Sequence, residues 1–324
     1  MIKTLEIKNF KSIKQLKLDC KRVNVFIGEP NTGKSNLLEA LGFLSFSYYA
    51  RYGYDLKSFV RHERVSNLFY DEELEQSIDM KADNVSLSLG FKEGAFSGAI
   101  GEVEKPLRVL LLQGGMTNLN VTNYPEVLSP FKFYRFVVQE SFPRHETGFL
   151  LPPSGDNLCS LLLARKEIRS IAGKIFSSTG FKLGLRPQEN KLELRKEVDD
   201  VTIVHPYSLT SETLQRLVFY MAAIMSNKDS VLVFEEPEAH AFPYHTKYLA
   251  EVIGLDENKN QYFISTHNPY FLEPVLEKTP MDEISVFITY FKDFQTKVKL
   301  LSEKELEETT EIDVFSNLDR FIEA

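Results

Sequence analysis

Gly28-Glu29-Pro30-Asn31-Thr32-Gly33-Lys34-Ser35 decides the reading of this chain. The stretch follows the phosphate-binding pattern G-x-x-x-x-G-K-S. Before it, residues 23–27 (Val-Asn-Val-Phe-Ile) read as a short buried strand, and Asn36-Leu37-Leu38-Glu39-Ala40-Leu41 opens a helix after it. Glycines let the backbone curl until consecutive N–H groups face one anion, and the helix start adds the positive end of its dipole. Lys34 is expected to reach the β- and γ-phosphates of a nucleotide, and the Ser35 hydroxyl to sit on Mg²⁺. Gly28, Asn31, Thr32, Gly33 and Asn36 complete the expected cradle.

Upstream, residues 2–8 and 14–20 alternate apolar and polar around Asn9-Phe10-Lys11-Ser12, the pattern of a β-hairpin. Downstream, the helix is expected to run to about residue 49. The pattern is weak from 50 to 81, and strands follow within 84–100, at 107–112 and at 131–138. That block reads as a β-rich elaboration inserted after the helix. Leu151-Pro152-Pro153-Ser154-Gly155-Asp156 signals a turn and a helix start, with one helix expected over 157–177. Strands are expected near 181–185, 191–195 and 201–204, then a helix over 212–226 that is apolar nearly all round and so reads as buried.

Residues 230–234 (Ser-Val-Leu-Val-Phe) form an apolar run of the kind found in a parallel sheet covered on both faces, ending in Glu235-Glu236-Pro237-Glu238. A helix near 243–253 and another short buried strand over 261–265 follow, the strand ending in Thr266-His267-Asn268-Pro269. A helix near 270–277, strands near 283–290 and 296–301 and acidic helical segments complete the chain. Strand–helix alternation around the phosphate loop predicts an α/β fold with a mostly parallel core sheet, an N-terminal antiparallel β-subdomain and an inserted helical and β lobe. The whole is read as one head, with segments 1–50, 51–150, 151–227 and 228–324.

Nucleotide hydrolysis needs a carboxylate for the metal and a group that positions or deprotonates water. Strand C-terminal ends line the ligand crevice of such sheets. Glu235 is therefore assigned to the Mg²⁺ shell, directly or through water, and Glu236 to the attacking water. His267 follows the next buried strand, where a neutral imidazole can donate to a γ-phosphate and sense its loss. A histidine that merely caps loop backbone is the alternative. The segment Phe131-Lys132-Phe133-Tyr134-Arg135-Phe136 could touch nucleic acid, but alternating strand packing is the preferred reading.

These motifs resemble those of ABC-type ATPases of the SMC/RecF/OLD branch. Ile7-Lys8-Asn9-Phe10-Lys11-Ser12-Ile13 is similar to the branch's N-terminal segment, and Gly33-Lys34-Ser35-Asn36-Leu37-Leu38-Glu39-Ala40 to its extended phosphate loop. Phe234-Glu235-Glu236-Pro237-Glu238-Ala239-His240 resembles the OLD-type Walker B segment, and Ser265-Thr266-His267-Asn268-Pro269 the switch-histidine loop. The resemblance implies two heads closing face to face around two ATP molecules, with Ser211 contacting the γ-phosphate of the partner's ATP. It makes Lys11 and Ser12 candidates for contacting nucleotide, and Gln113 or Gln139 candidates for the Q-loop glutamine. The signature-like segment Leu209-Thr210-Ser211-Glu212-Thr213-Leu214-Gln215-Arg216 departs from the family pattern, because Glu212 and Thr213 stand where a glycine is usual. That departure motivates a second reading, a nucleotide-sensing module with little turnover. A small-molecule kinase using the same loop is a third, against which Glu235-Glu236 and the His267 loop argue.

Residues 35–211 carry no sustained heptads and no C-x-x-C hook, which excludes a full SMC protein. Residues 268–324 are too few for the TOPRIM nuclease that follows the ATPase in OLD proteins. A short stand-alone ATPase acting beside a separately encoded effector is the expectation. The formal charge of −8 gives no global field for nucleic acid, so DNA is a candidate partner that charge does not support. Cys20 and Cys159 have no metal-ligand spacing and point weakly to a reducing cytosol. No export signal is read in the first residues, and no run of 18 apolar residues predicts a membrane span.

Overall fold

The computed structural model describes the chain except at residues 115, 121–122, 310–311 and 324, and except for the side chains of 112–122 and 323–324. Apolar–polar alternation folds Thr4–Phe10 (β1) back on Ile13–Asp19 (β2) as an antiparallel pair. Val23–Ile27 (β3) is buried at every position and leads through the phosphate loop into Lys34–Tyr49 (α1). Four short 3₁₀ turns punctuate the stretch up to Ile78–Ala82 (β4). Val85–Lys92 (β5), Ala95–Glu102 (β6), Lys105–Gly114 (β7) and Met116–Asn120 (β8) follow, then Phe131–Tyr134 (β9).

The expected β-rich elaboration is continuous with the first hairpin. β4 pairs antiparallel with β1, giving one seven-stranded sheet in the order β2-β1-β4-β5-β6-β7-β8. The strand read over 131–138 is shorter and lies elsewhere: β9 stops at Tyr134, is buried at all four positions and joins the parallel core. Strand packing, rather than an exposed aromatic-basic face, is thus the role of residues 131–134.

The single helix expected over 157–177 is two, Leu158–Ala164 (α2) and Lys166–Ser177 (α3). Arg165 between them is extended, at φ −108° and ψ 98°. The break is stabilised from the next turn, where Arg169 donates to the carbonyls of Leu162 and Leu163 at 3.0 and 2.7 Å. These are among the carbonyls that a helix end leaves without partners. Lys182–Arg186 (β10), Lys191–Val198 (β11) and Val201–Pro206 (β12) make a separate antiparallel sheet, and Glu212–Ser226 (α4) is buried along most of its length.

Val231–Glu235 (β13), Pro243–Gly254 (α5), Gln261–Ser265 (β14), Pro269–Lys278 (α6), Ile284–Lys292 (β15) and Gln295–Leu300 (β16) complete the core, followed by Glu303–Glu308 (α7) and Leu318–Glu323 (α8). The core sheet runs β16-β15-β3-β14-β13-β9, parallel except at the β15–β16 hairpin. Side chains alternate between its two faces. Phe26, Phe133, Val233, Phe263 and Phe287 point towards α1 and the seven-stranded sheet. Val25, Tyr134, Phe234, Ile264 and Val286 point towards the helices on the other side. The apolar runs expected to be covered on both faces are so covered.

Candidate functional site

Three parallel strands end in one row. Phe26 of β3 is level with Ser265 of β14, and Ser265 with Glu235 of β13. The row is tied by backbone bonds from Thr266 N to Phe26 O and from Glu236 N to Ser265 O, both 3.1 Å. The phosphate loop, the Glu235-Glu236 pair and His267 therefore leave the sheet at the same edge, where a ligand crevice forms.

The loop is braced from behind by the β15–β16 hairpin. Gly28 has φ +145°, and a Cβ there would lie 2.2 Å from the Thr289 carbonyl oxygen; Gly33 has φ +97°, and its Cβ would lie 1.9 Å from Thr296 Oγ1. Both positions need glycine for conformation and for space. Asn31 also takes a left-handed conformation, φ +62°. Thr32 Oγ1 donates to Glu29 O at 2.8 Å. Asn36 Nδ2 donates to Ser12 Oγ at 2.7 Å, Ser12 Oγ lies 2.7 Å from Thr296 Oγ1, and Thr296 Oγ1 donates to Thr32 O at 3.0 Å.

In front of the loop lies a cavity of about 410 Å³ lined by Ser12, residues 30–36, Arg61, Glu236 and His267. Lys34 bends back over the loop, its ammonium donating to Gly28 O at 2.8 Å and Glu29 O at 2.7 Å. Burial pulls its pKa down to about 8, against the favourable fields of Glu236 and Glu29. A buried ammonium paired only with carbonyls is suited to an incoming anion. Glu236 sits at φ +43°, a costly conformation for this residue type and one that clusters at functional sites. Its Oε1 is 3.2 Å from His267 Nε2, and the His267 hydrogen bond holds the carboxyl below its ordinary range.

The donor set fits Mg²⁺ on one side only. Ser35 makes no side-chain hydrogen bond among the described residues and lines the cavity. Glu235, however, has one oxygen 2.9 Å from Arg61 and the other 3.3 Å from Arg135. Among the described residues no group of three or more His, Cys, Asp or Glu could hold a metal by itself.

Other sequence-predicted residues lie elsewhere. Lys11 does not line the cavity; its ammonium pairs with Glu39 and donates to Arg61 O. Ser211 is exposed at the start of α4 and lies outside the cavity. Gln139 follows β9, the neighbour of β13 in the sheet, and donates to Ser154 O at 2.6 Å. The Gln113 side chain lies outside the described residues. Arg61 and Arg135 were missed from sequence. Their signal was Glu39, the one acidic residue of α1, whose burial requires a counter-charge.

Residues 1–97 match the family model of the AAA ATPase domain. A DNA replication and repair protein RecF of Lactococcus lactis is 40% identical over 55 residues, which is 17% of this chain and 15% of that protein. An ATP/GTP phosphatase of Helicobacter pylori is 51% identical over 45 residues, 14% of this chain and 12% of that protein. The chain thus spans well under two thirds of the length of these relatives. Among solved structures, an Smc head bound to the C-winged helix domain of ScpA matches with TM-score 0.56 and 16% identity, over 95% of this chain and 99% of that one. The Pyrococcus furiosus Smc head with an extended coiled coil, bound to the C-terminal domain of ScpA, matches with TM-score 0.54 and 13% identity, over 96% and 98%. No described helix is long and apolar enough to cross a membrane. The chain thus has the fold of an SMC head over nearly its whole length, with the phosphate loop, Glu235-Glu236 and His267 on one sheet edge, and its first 97 residues are similar to the AAA ATPase domain.

Proposed function

We propose that the chain binds ATP with Mg²⁺ in the cavity before residues 28–35 and hydrolyses it in a cycle of head closure and opening. The observation that carries this is the facing of the Glu236–His267 pair and the buried Lys34 ammonium across one cavity. When bound, Mg²⁺ would screen the phosphate oxygens, beside Ser35 and the Glu235 end of β13. Lys34 turns from the Gly28 and Glu29 carbonyls to the phosphates. Glu236, ionised at neutral pH, accepts a hydrogen bond and then a proton from the attacking water. His267 Nε2 orients the Glu236 carboxylate and marks the place of the terminal phosphate.

Closure needs a surface that offers Ser211. Thr213 Oγ1 donates to His240 O at 2.9 Å, joining the first turn of α4 to the turn after Glu236. Leu209 and Phe242 project from these two segments, 80% and 69% exposed. The Glu212 carboxylate, which would repel a phosphate, is drawn back along the helix to Arg216 at 2.8 Å. This supports an ATP-dependent homodimer in which Ser211 meets the partner's nucleotide. A separately encoded effector protein is the next candidate partner. DNA remains the weaker one, given the charge of −8.

The test is the solution mass of Glu236→Gln by light scattering, with and without Mg-ATP. A shift from monomer to dimer on adding ATP supports the closing engine. An unchanged mass, with ATP binding confirmed separately, favours the second reading of a sensor that scarcely turns over, for which the glycine-less Ser211-Glu212-Thr213 segment is the specific observation.

A further inference from the structure

Glu39 lies on α1 just beyond the phosphate loop, with no exposed surface. Burial alone would raise its pKa, yet Lys11, Arg61 and Arg135 hold the carboxyl below its ordinary range. Its Oε1 accepts from Arg61 Nε at 2.7 Å, Arg61 N at 3.2 Å and Arg135 at 3.2 Å, and its other oxygen pairs with Lys11. The same two arginines continue to Glu235, one to each oxygen. Glu39, Arg61, Glu235 and Arg135 thus close a ring of four charges. With Lys11, three cations face two carboxylates.

The arginines are not equivalent. Phe59 and Val60, both fully buried, fix the backbone that carries Arg61, while its side chain is 57% exposed and lines the phosphate cavity. Arg135 is 24% exposed, packs over the Phe133 ring and does not line it. A guanidinium on Glu235 competes with a divalent cation there, because it neutralises the carboxylate charge and takes up one of its lone-pair sites.

We propose that Arg61 is a displaceable counter-ion of Glu235, hinged on Glu39, that keeps a divalent cation off Glu235 until a nucleotide phosphate draws it away. The proposal rests on reading the cavity as a nucleotide site. Arg61 keeps its backbone N on Glu39, and its planar guanidinium swings as one unit from Glu235 towards the cavity. Glu39 acts through Arg61 and is a positioning residue. Metal and nucleotide therefore assist each other's binding through one side chain, a reciprocal coupling.

The experiment titrates Mn²⁺, read by the loss of its free-ion paramagnetic resonance signal, into the whole chain with and without a non-hydrolysable ATP analogue. Wild type should bind Mn²⁺ weakly alone and more tightly with the analogue. Arg61→Ala should bind Mn²⁺ alone about three- to fivefold more tightly, the order of one part-exposed ion pair, and should bind metal-free analogue more weakly. Arg135→Ala should also tighten Mn²⁺ but keep its affinity for the analogue. If Arg61→Ala fails to fold by circular dichroism, Arg61→Lys, which cannot span both carboxylates, should shift Mn²⁺ the same way. Unchanged Mn²⁺ affinity in folded variants of a chain that binds the analogue overturns the counter-ion role and leaves the nucleotide site standing. Failure of wild type to bind the analogue overturns the reading of the cavity itself.

Discussion

His267 Nε2 lies 3.2 Å from Glu236 Oε1, and both side chains stand at neighbouring strand ends, 37% and 44% exposed. The pair is open to water and to a ligand together, as a group that handles an attacking water must be. Glu236→Gln should lower hydrolysis by about 10²–10⁴-fold while nucleotide affinity stays within a few-fold. Steady-state turnover and fluorescent-nucleotide titration check this, and full turnover in the variant would remove Glu236 from the reaction.

Lys34 gives a proton signal. Its pKa is pulled down to about 8, so near pH 8.5 most molecules carry a neutral amine. Phosphate beside it restores the charge, and binding should take up roughly half a proton or more at that pH. Calorimetry in two buffers of different ionisation enthalpy measures the uptake. A value of zero would mean that Lys34 does not meet the phosphates.

Glu238 links stability to pH. It is 4% exposed, accepts a hydrogen bond from Thr266 Oγ1 on one oxygen and, among the described residues, has no hydrogen-bond partner on the other. Burial raises its pKa from 4.5 to about 7. Between these values the folded chain keeps a proton that the unfolded chain has shed, so stability falls as pH rises through that window. Glu238→Gln should flatten the slope and, relative to wild type, gain about 1–3 kcal/mol on going from pH 5 to pH 8. Urea unfolding at the two pH values decides it; parallel changes in both proteins would rule the group out.

Phe26 ties three strands together. Its ring stacks on Phe287 of β15 at 5.1 Å and faces Phe263 of β14 at 6.4 Å, all of them buried. Phe26→Ala should cost about 3–5 kcal/mol, and Phe26→Leu clearly less. Because Phe26 stands two residues before Gly28, the alanine variant should also weaken nucleotide binding. Denaturant midpoints and one nucleotide titration test both parts.

The parallel strands and the phosphate loop were legible because their signal is local. β3 and β14 are short, largely apolar strands buried at every position, and their apolar centres mark them without reference to a partner. α1 also ran as expected, from the loop to Tyr49. The break at Arg165 was not legible, since neither proline nor glycine marks it and its stabilising donor, Arg169, lies a turn beyond. The same holds for Arg61 and Arg135. Each reaches Glu39 and Glu235 across long stretches of chain, and no spacing rule connects them. Lys11, a candidate nucleotide contact by family resemblance, pairs with buried Glu39, a partner that no local pattern signals.

The bracing of Gly28 by Thr289 and of Gly33 by Thr296 has a consequence for how the protein is made. The phosphate motif is complete once residue 35 is polymerised, but the surfaces that shape it are synthesised some 260 residues later. At ordinary translation rates that gap lasts tens of seconds. During that interval a ribosome-bound chain carries the whole motif as an unbraced loop. Under the proposed function, nucleotide capture would wait until β15 and β16 have emerged from the ribosome, by which point Glu236 and His267 have already been synthesised.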